Sequence, residues 1–403
     1  MKAGALPVAC RFFRVFSVIT TFIQVDISKT LQSKNVIIIT DSSDIVELGS
    51  YEVKLSSRSW LALSILFSLS VIIIVFATTF NQETIGYILN FNLFFLFLAI
   101  AFRLIALVIW GVRLQVMSGS LGYRVSLPHC VNMVLAGLLA GAITPGQAGG
   151  EPVRVHELYR SGVKLGDAAA VVIMERVLDG VILTVMGIIL MTLMTKLFWS
   201  SFSPGLYLLV IVAWILMISF IIIPILAIGY PEMTKKVLMK LVNWLIPKFS
   251  WWSSSPETLV ALADREIDNL FNSMARFTGT ARVGLLGGAI TTGLFWVVEF
   301  LVASFILMGL GFGPAVIESF FFQILIAIIN MIPLTPGSSG ITELSTTSLY
   351  TLIIPTGMIG IFVILWRFIT FYLNIILGAI AGLAIFKREV EMRNIDEGEL
   401  EKV

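Results

Sequence analysis

Long apolar runs separated by short polar segments dominate the pattern of this chain. The runs at 60–79, 89–112, 168–198, 207–228, 283–310 and 358–386 each reach the ~20 apolar residues that a bilayer crossing needs. Two others, 127–143 and 315–334, are interrupted at their ends. The strictly apolar part of the first, 133–143, is too short to cross unaided. Residues 231–282 follow a different rule. Met233, Val237, Leu238, Leu241, Val242 and Leu245 recur at helical spacing, with Lys235, Lys236 and Lys240 elsewhere on the wheel. That pattern predicts an amphipathic helix lying in the headgroup layer, its lysines held to anionic lipid. Ser255-Pro256-Glu257 then reads as the start of a second amphipathic helix.

Both interruptions carry the same words. Thr144-Pro145-Gly146-Gln147-Ala148-Gly149-Gly150-Glu151 ends the first short run, and Thr335-Pro336-Gly337-Ser338-Ser339-Gly340-Ile341-Thr342-Glu343 ends the second. Each reads T-P-G-x-x-G and then a glutamate. Pro and Gly break a helix there. Broken backbone at membrane depth is tolerated only where protein or a water-filled cavity surrounds it. A pair of Gly/Pro-interrupted hydrophobic segments, one in each half, points to a transporter binding site. The break residues Pro145, Gly146, Gly149, Pro336, Gly337 and Gly340 are therefore candidate site elements.

Charge placement gives the orientation. If both breaks turn back as re-entrant hairpins and residues 1–58 are cytoplasmic, the inner segments hold 23 of the 27 Lys and Arg residues. The outer segments hold none, as the positive-inside rule requires. On this reading both termini are cytoplasmic and the halves, about 89–198 and 283–386, are inverted copies. The expected fold is an all-α polytopic bundle with two inverted repeats, each containing a re-entrant, Gly/Pro-broken hairpin. Its domains are a poorly ordered segment 1–58, a membrane domain 59–390 with the amphipathic insert 231–282, and a polar tail 391–403. Residues 12–25 behind Arg11 and Arg14 resemble a signal peptide, but no small-residue cleavage site follows them.

Composition narrows the function. The chain has 403 residues, 58% hydrophobic and 13% charged, where a soluble domain averages about 25% charged. With a net charge of +2 and no basic cluster interleaved with aromatics, nucleic acid is not an expected partner. Two cysteines, Cys10 and Cys130, and two histidines, His129 and His156, supply no metal-ligand spacing. No metal or cofactor is expected.

Ionisable residues inside apolar runs are functional candidates by default. Here they are Arg103, Glu175, Arg176, Asp179, Glu299 and Arg367, joined at the breaks by Glu151, Arg154 and Glu343. Glu175 and Asp179 lie four apart, face the same way, and need a cation from another helix: Arg154, Arg103 or Arg367. They read equally as packing ion pairs and as working groups. Arg103 and Arg367 suit phosphate, which a guanidinium grips with two N–H groups. Glu151, Arg154, Glu343, Arg367 and Arg103 form the expected substrate site, around a polar cavity where the breaks meet.

The motifs P-G-x-x-G-G-E-x-x-R over Pro145–Arg154, E-R-x-x-D over Glu175–Asp179, and P-G-x-x-G-x-x-E over Pro336–Glu343, with Arg367 downstream, resemble a known family. It is the flippase-like transmembrane domain of lysylphosphatidylglycerol synthases and its stand-alone relatives. The resemblance covers about residues 57–390. It implies movement of a lipid between leaflets, in some members an aminoacylated phospholipid, with site residues Glu151, Arg154, Glu175, Arg176, Asp179, Glu343 and Arg367. Two departures stand out: Thr342 where the family usually has Arg before the second glutamate, and the additional Gly150. The expected function is a multi-pass cell-membrane lipid flippase or transporter, not an enzyme, whose partners are the bilayer and a phospholipid or polyprenyl-linked lipid. The alternatives are a membrane enzyme acting on a lipid phosphate and a non-transporting partner of a lipid-modifying synthase.

Overall fold

The computed structural model describes residues 57–144, 146–198, 230–245, 256–330 and 335–385, with scattered positions between 211 and 229. The expectations for residues 1–56, most of the run 207–228, Pro145 and the polar tail lie outside the described residues. Those described are helical and contain no strand. The protein is therefore a polytopic helical membrane protein.

Apolar runs become helices because a chain in hydrocarbon must satisfy its backbone within itself. Helix α1 covers Ser57–Thr79 and bends by 113° into α2, Gln82–Leu89. Asn81 explains the bend. Its side chain accepts from the Thr84 N–H while Thr84 Oγ1 accepts from the Asn81 N–H, a reciprocal cap that starts a new helix. Next come α3 (Leu93–Ser120), α4 (Leu127–Ala142), α5 (Gly150–Arg160) and α6 (Leu165–Phe198). The insert gives α7 (Pro231–Leu245) and α8 (Pro256–Thr278), with Pro at the first position of each. The second half follows as α9 (Arg282–Gly309), α10 (Val316–Asn330), α11 (Ile341–Tyr350) and α12, Thr356–Ile385. Within α12 a π-helical turn, Phe368–Tyr372, follows directly on Arg367. Of these helices α3, α9 and α12 are each long and apolar enough to cross a membrane, and bent α1–α2 together makes a further candidate.

One boundary needs correction. Hydropathy ends the second span at Val112, which leaves Arg113 in a cytoplasmic loop. The helix runs on to Ser120, and Arg113 is wholly buried inside it. One of the basic residues counted as cytoplasmic therefore belongs to the bundle.

The core has two parts. One gathers Leu114, Met133, Leu158 and Phe277 from α3, α4, α5 and α8. The other gathers Phe322, Tyr350 and Phe362 from α10, α11 and α12. Phe102 of α3 and Trp296 of α9 touch both. Helices α3 and α9 bind the parts together through small residues. A Cβ on Gly284 would stand 1.9 Å from Ser120 Oγ, and one on Gly288 would stand 2.9 Å from Leu178 and 3.1 Å from Met117. This is the close approach expected of Gly284-x-x-x-Gly288. The other such pair acts on one side only. Gly378 seats against Leu135 and Leu139, while Gly382 faces open space.

In the insert, Met233, Val237, Leu241 and Trp244 form an exposed apolar stripe along α7. Lys235 has partners within the insert. Its Nζ lies 3.0 Å from Asp264 and 2.7 Å from Asp268, which tie α7 to α8. In turn α8 is clasped to the start of α6, where Ser273, Arg276 and Tyr123 all donate to Asp167.

Candidate functional site

The two breaks are bonded to each other. The Gly146 N–H donates to the Thr335 carbonyl at 3.3 Å, and the Gly337 N–H donates to the Thr144 carbonyl at 3.0 Å. The same motif position thus donates to the same motif position in both directions. The backbones also match. Gly146 and Gly337 both have φ 57°, followed by Gln147 at 60° and Ser338 at 54°. The left-handed region costs a non-glycine residue roughly 1–2 kcal/mol, so Gln147 and Ser338 are held there by their surroundings. Ser338 Oγ donates to the Asn330 carbonyl, and Thr335 Oγ1 to the Ser339 carbonyl. In the first break Thr144 Oγ1 accepts from the Gly149 N–H at 2.8 Å.

Across each break the flanking helices pack together, α4 on α5 and α10 on α11. Gly150 explains its own presence. A Cβ there would lie 2.9 Å from the Gly137 carbonyl oxygen, in backbone that cannot swing aside. Gly150→Val should separate α4 from α5 and displace Arg154, giving a lower melting temperature in detergent. An unchanged melting temperature would rule out this close approach.

A cavity of about 400 Å³ opens where the breaks meet. Gly146, Gln147, Ala148 and Thr342 contribute its break-side wall. The charged groups on it are Arg103, Glu151, Arg176, Asp179, Glu299 and Arg367. Trp110, Phe295, Trp296, Phe300, Trp366 and Phe371 supply broad apolar faces, and Gln323, Asn330 and Asn374 supply neutral polar ones.

On the wall and behind it the charges form three sets. In the first, Arg113 joins Glu175 (Nε to Oε1, 2.8 Å) and Asp179 (Nη1 to Oδ1, 2.7 Å). Trp110 Nε1 donates to Glu175 at 3.0 Å and Trp296 Nε1 to Asp179 at 3.1 Å. Arg154 stands 3.5 Å from Glu175 and 3.6 Å from Glu151. Arg176 closes the set, 2.6 Å from Glu151 and 3.3 Å from Asp179. The Trp110 ring lies within 6 Å of three guanidinium carbons, those of Arg113, Arg154 and Arg176. The ring's negative faces suit such company.

The second set belongs to the other break. Glu343 accepts from Arg367 Nε (2.8 Å), Ser68 Oγ (2.5 Å) and the Gly340 N–H (2.7 Å). Arg367 also lies over the Phe371 ring at 4.1 Å and reaches Ser339 at 3.3 Å. Its neighbour Tyr372, in the π turn, donates to Ser68. The π turn follows Arg367 immediately, and Phe371 and Thr370 within it face the cavity. The third set is the pair Arg103–Glu299, with Arg103 Nε also donating to Asn374 Oδ1 at 3.2 Å.

Of the five residues expected at the substrate site, Glu151, Arg103 and Arg367 stand on the cavity wall. Arg154 and Glu343 are fully buried behind it, each holding a neighbour of the cavity in place. Arg113, Trp110 and Trp296 were missed by sequence reasoning. Arg113 was one residue outside a span boundary; the tryptophans carry no charge to flag them. Thr342 turns to its own scaffold, donating to Asn330 Oδ1 at 2.6 Å. Among the described residues no cluster of three His, Cys, Asp or Glu side chains has metal-site geometry.

A family model of the lysylphosphatidylglycerol synthase TM region matches residues 59–378. A UPF0104 membrane protein of Archaeoglobus fulgidus is 30% identical over 319 residues, covering 79% of this chain and 95% of that protein. A UPF0104 membrane protein of Pyrococcus horikoshii is 24% identical over 311 residues, covering 75% and 90%. One from Methanothermobacter thermautotrophicus is 23% identical over 257 residues, covering 62% and 72%. The chain belongs to the family of the lysylphosphatidylglycerol synthase TM region.

Proposed function

We propose that the protein moves a lipid, or a lipid-linked headgroup, between the leaflets of the cell membrane by alternating access. The observation that carries this reading is the polar cavity at the junction of two mutually bonded breaks, with guanidinium groups and indole rings on its wall. A headgroup phosphate fits the guanidiniums of Arg103 and Arg367. The aromatic faces suit the carbon atoms beside it. Arg113, Arg154, Glu175, Asp179 and Glu343 serve as the fixed frame, and Glu151, Arg176 and Glu299 as movable partners. Buried Glu151 Oε2 and Arg176 Nε carry no hydrogen bond from the protein, and water or a headgroup in the cavity would satisfy them.

The halves act as inverted repeats, each break being a re-entrant hairpin. Matched φ values and reciprocal bonds at the breaks support this, as does the pairing of helices across them. Both termini and the insert lie on the cytoplasmic side, where the remaining basic residues concentrate. The protein itself catalyses no covalent step; its match is to a transmembrane region.

A direct test places a photoreactive amino acid at Ala327, on the cavity wall, in cells grown with their own lipids. Irradiation should capture a lipid there, and not at Ile290 on the outer, exposed face of α9 beyond ordinary annular background. Equal capture at both positions would contradict a lipid site in the cavity.

A further inference from the structure

The charges around the cavity cancel. Arg103, Arg113, Arg154, Arg176 and Arg367 stand against Glu151, Glu175, Asp179, Glu299 and Glu343, and every one of them is paired. A balanced site has no spare cation for an anionic headgroup. To seat a phosphate on a guanidinium, some carboxylate must lose its partner. A carboxylate left alone in such a place takes up a proton.

The geometry singles out which one. Glu175, Asp179 and Glu343 each have at least three separate donors or cations, so each keeps two when one is lost. Glu151 has two guanidiniums near it. Glu299 has one partner among the described residues, Arg103, and its side chain is 15% exposed on the cavity wall. The other charged groups on that wall are engaged elsewhere: Arg176 and Asp179 from α6 with each other, Glu151 from α5 with Arg176, and Arg367 from α12 with Glu343. From α10 come only neutral Gln323 and Asn330. On α8, Arg276 is held by Asp167. Arg103 keeps Asn374 as a second, neutral anchor, so it stays in place when Glu299 lets go.

We propose that an anionic phosphate headgroup displaces Glu299 from Arg103 and that Glu299 then binds one proton, so that anion and proton cross together. This rests on the lipid reading above. The proton comes from water at the cavity mouth, joins a carboxylate oxygen, and returns to water when the headgroup leaves and Arg103 pairs with Glu299 again. No net charge then crosses the membrane, which removes the large cost of moving one.

The test measures binding and proton uptake together on the whole protein in detergent, by calorimetry in buffers of different ionisation enthalpy. The probes are short-chain phosphatidylglycerol, short-chain phosphatidylcholine and inorganic phosphate. Phosphatidylglycerol should bind with uptake of about one proton per lipid. Phosphatidylcholine, which brings its own cation to Glu299, should bind without uptake. Glu299→Gln should abolish the uptake, and the wild-type count stands by itself if that variant does not fold. Phosphatidylglycerol binding without proton uptake, or uptake unchanged in the variant, would overturn the proton step while leaving the lipid reading intact. Binding of inorganic phosphate with uptake, and of neither lipid, would overturn the lipid reading and move the same proton step to a free anion. No binding by any probe would overturn both.

Discussion

Replacing Arg113 with leucine is expected to cost about 3–5 kcal/mol of stability, the range for breaking a buried ion pair by removing one partner. Among the described residues Arg113 is the one guanidinium hydrogen-bonded to Glu175 and the closest cation to Asp179. Its side chain, and those of both carboxylates, are at most 2% exposed. Leucine fills much of the volume but takes the closest cation from both carboxylates, leaving Glu175 with Trp110 Nε1 and Arg154 at 3.5 Å, and Asp179 with Trp296 Nε1 and Arg176 at 3.3 Å. Arg176→Leu makes the control. Its guanidinium is 33% exposed and lies at the edge of the same set, so its loss should cost at most about 1 kcal/mol. Thermal unfolding of both variants in one detergent checks this. Equal losses would mean that burial of Arg113 is not what makes its pairs matter.

Arg367→Lys is expected to fold normally yet to move lipid at least tenfold more slowly, a rise of about 1.4 kcal/mol or more in the transport barrier. The charge is kept, and Lys can still meet Glu343. What is lost is the planar fork. Arg367 uses Nε on Glu343, turns Nη2 toward Ser68 and Ser339, and stacks its plane on Phe371. An ammonium is a point charge that does one of these at a time. A Lys drawn to Glu343 has nothing left for a headgroup. Melting temperature and transport rate measured on the same preparation separate the roles. Full transport by the Lys variant would confine Arg367 to balancing Glu343.

Much of this was legible because helix breaks and buried charges leave strong marks. Pro and Gly after an apolar run announce the two breaks, and the repeated T-P-G pairs one with the other. Their meeting follows from the cost of unsatisfied backbone in hydrocarbon. Arg113 was illegible for a definite reason. Hydropathy sees its charge and closes the span at Val112, whereas the helix continues because carboxylates 62 and 66 residues away neutralise that charge. Distance in sequence hides such a pair. The neutral polar wall, Gln323, Asn330 and Asn374, was hidden too, since single amides within apolar runs carry no pattern. Arg154 and Glu343 were recognised as charged break residues, but only side-chain packing tells a residue on the wall from one behind it. Gly150, an oddity of the motif, became intelligible once Gly137 was seen opposite it. The acidic partners of Lys235 were hidden as well, because they sit on the next helix.

Lipid movement through the cavity is read out by leaflet-resolved transport. Purified protein is reconstituted into vesicles that contain fluorescent phospholipids of different headgroups. A membrane-impermeant reductant then bleaches the outer leaflet. With active protein, label from the inner leaflet should continue to reach the reductant, well beyond the half bleached in protein-free vesicles, for at least one phosphate-bearing headgroup. Arg103→Leu, folded by its melting curve, should return the vesicles to the protein-free level. If vesicles with folded wild-type protein bleach no further than protein-free ones for any headgroup, the protein does not move phospholipid between leaflets.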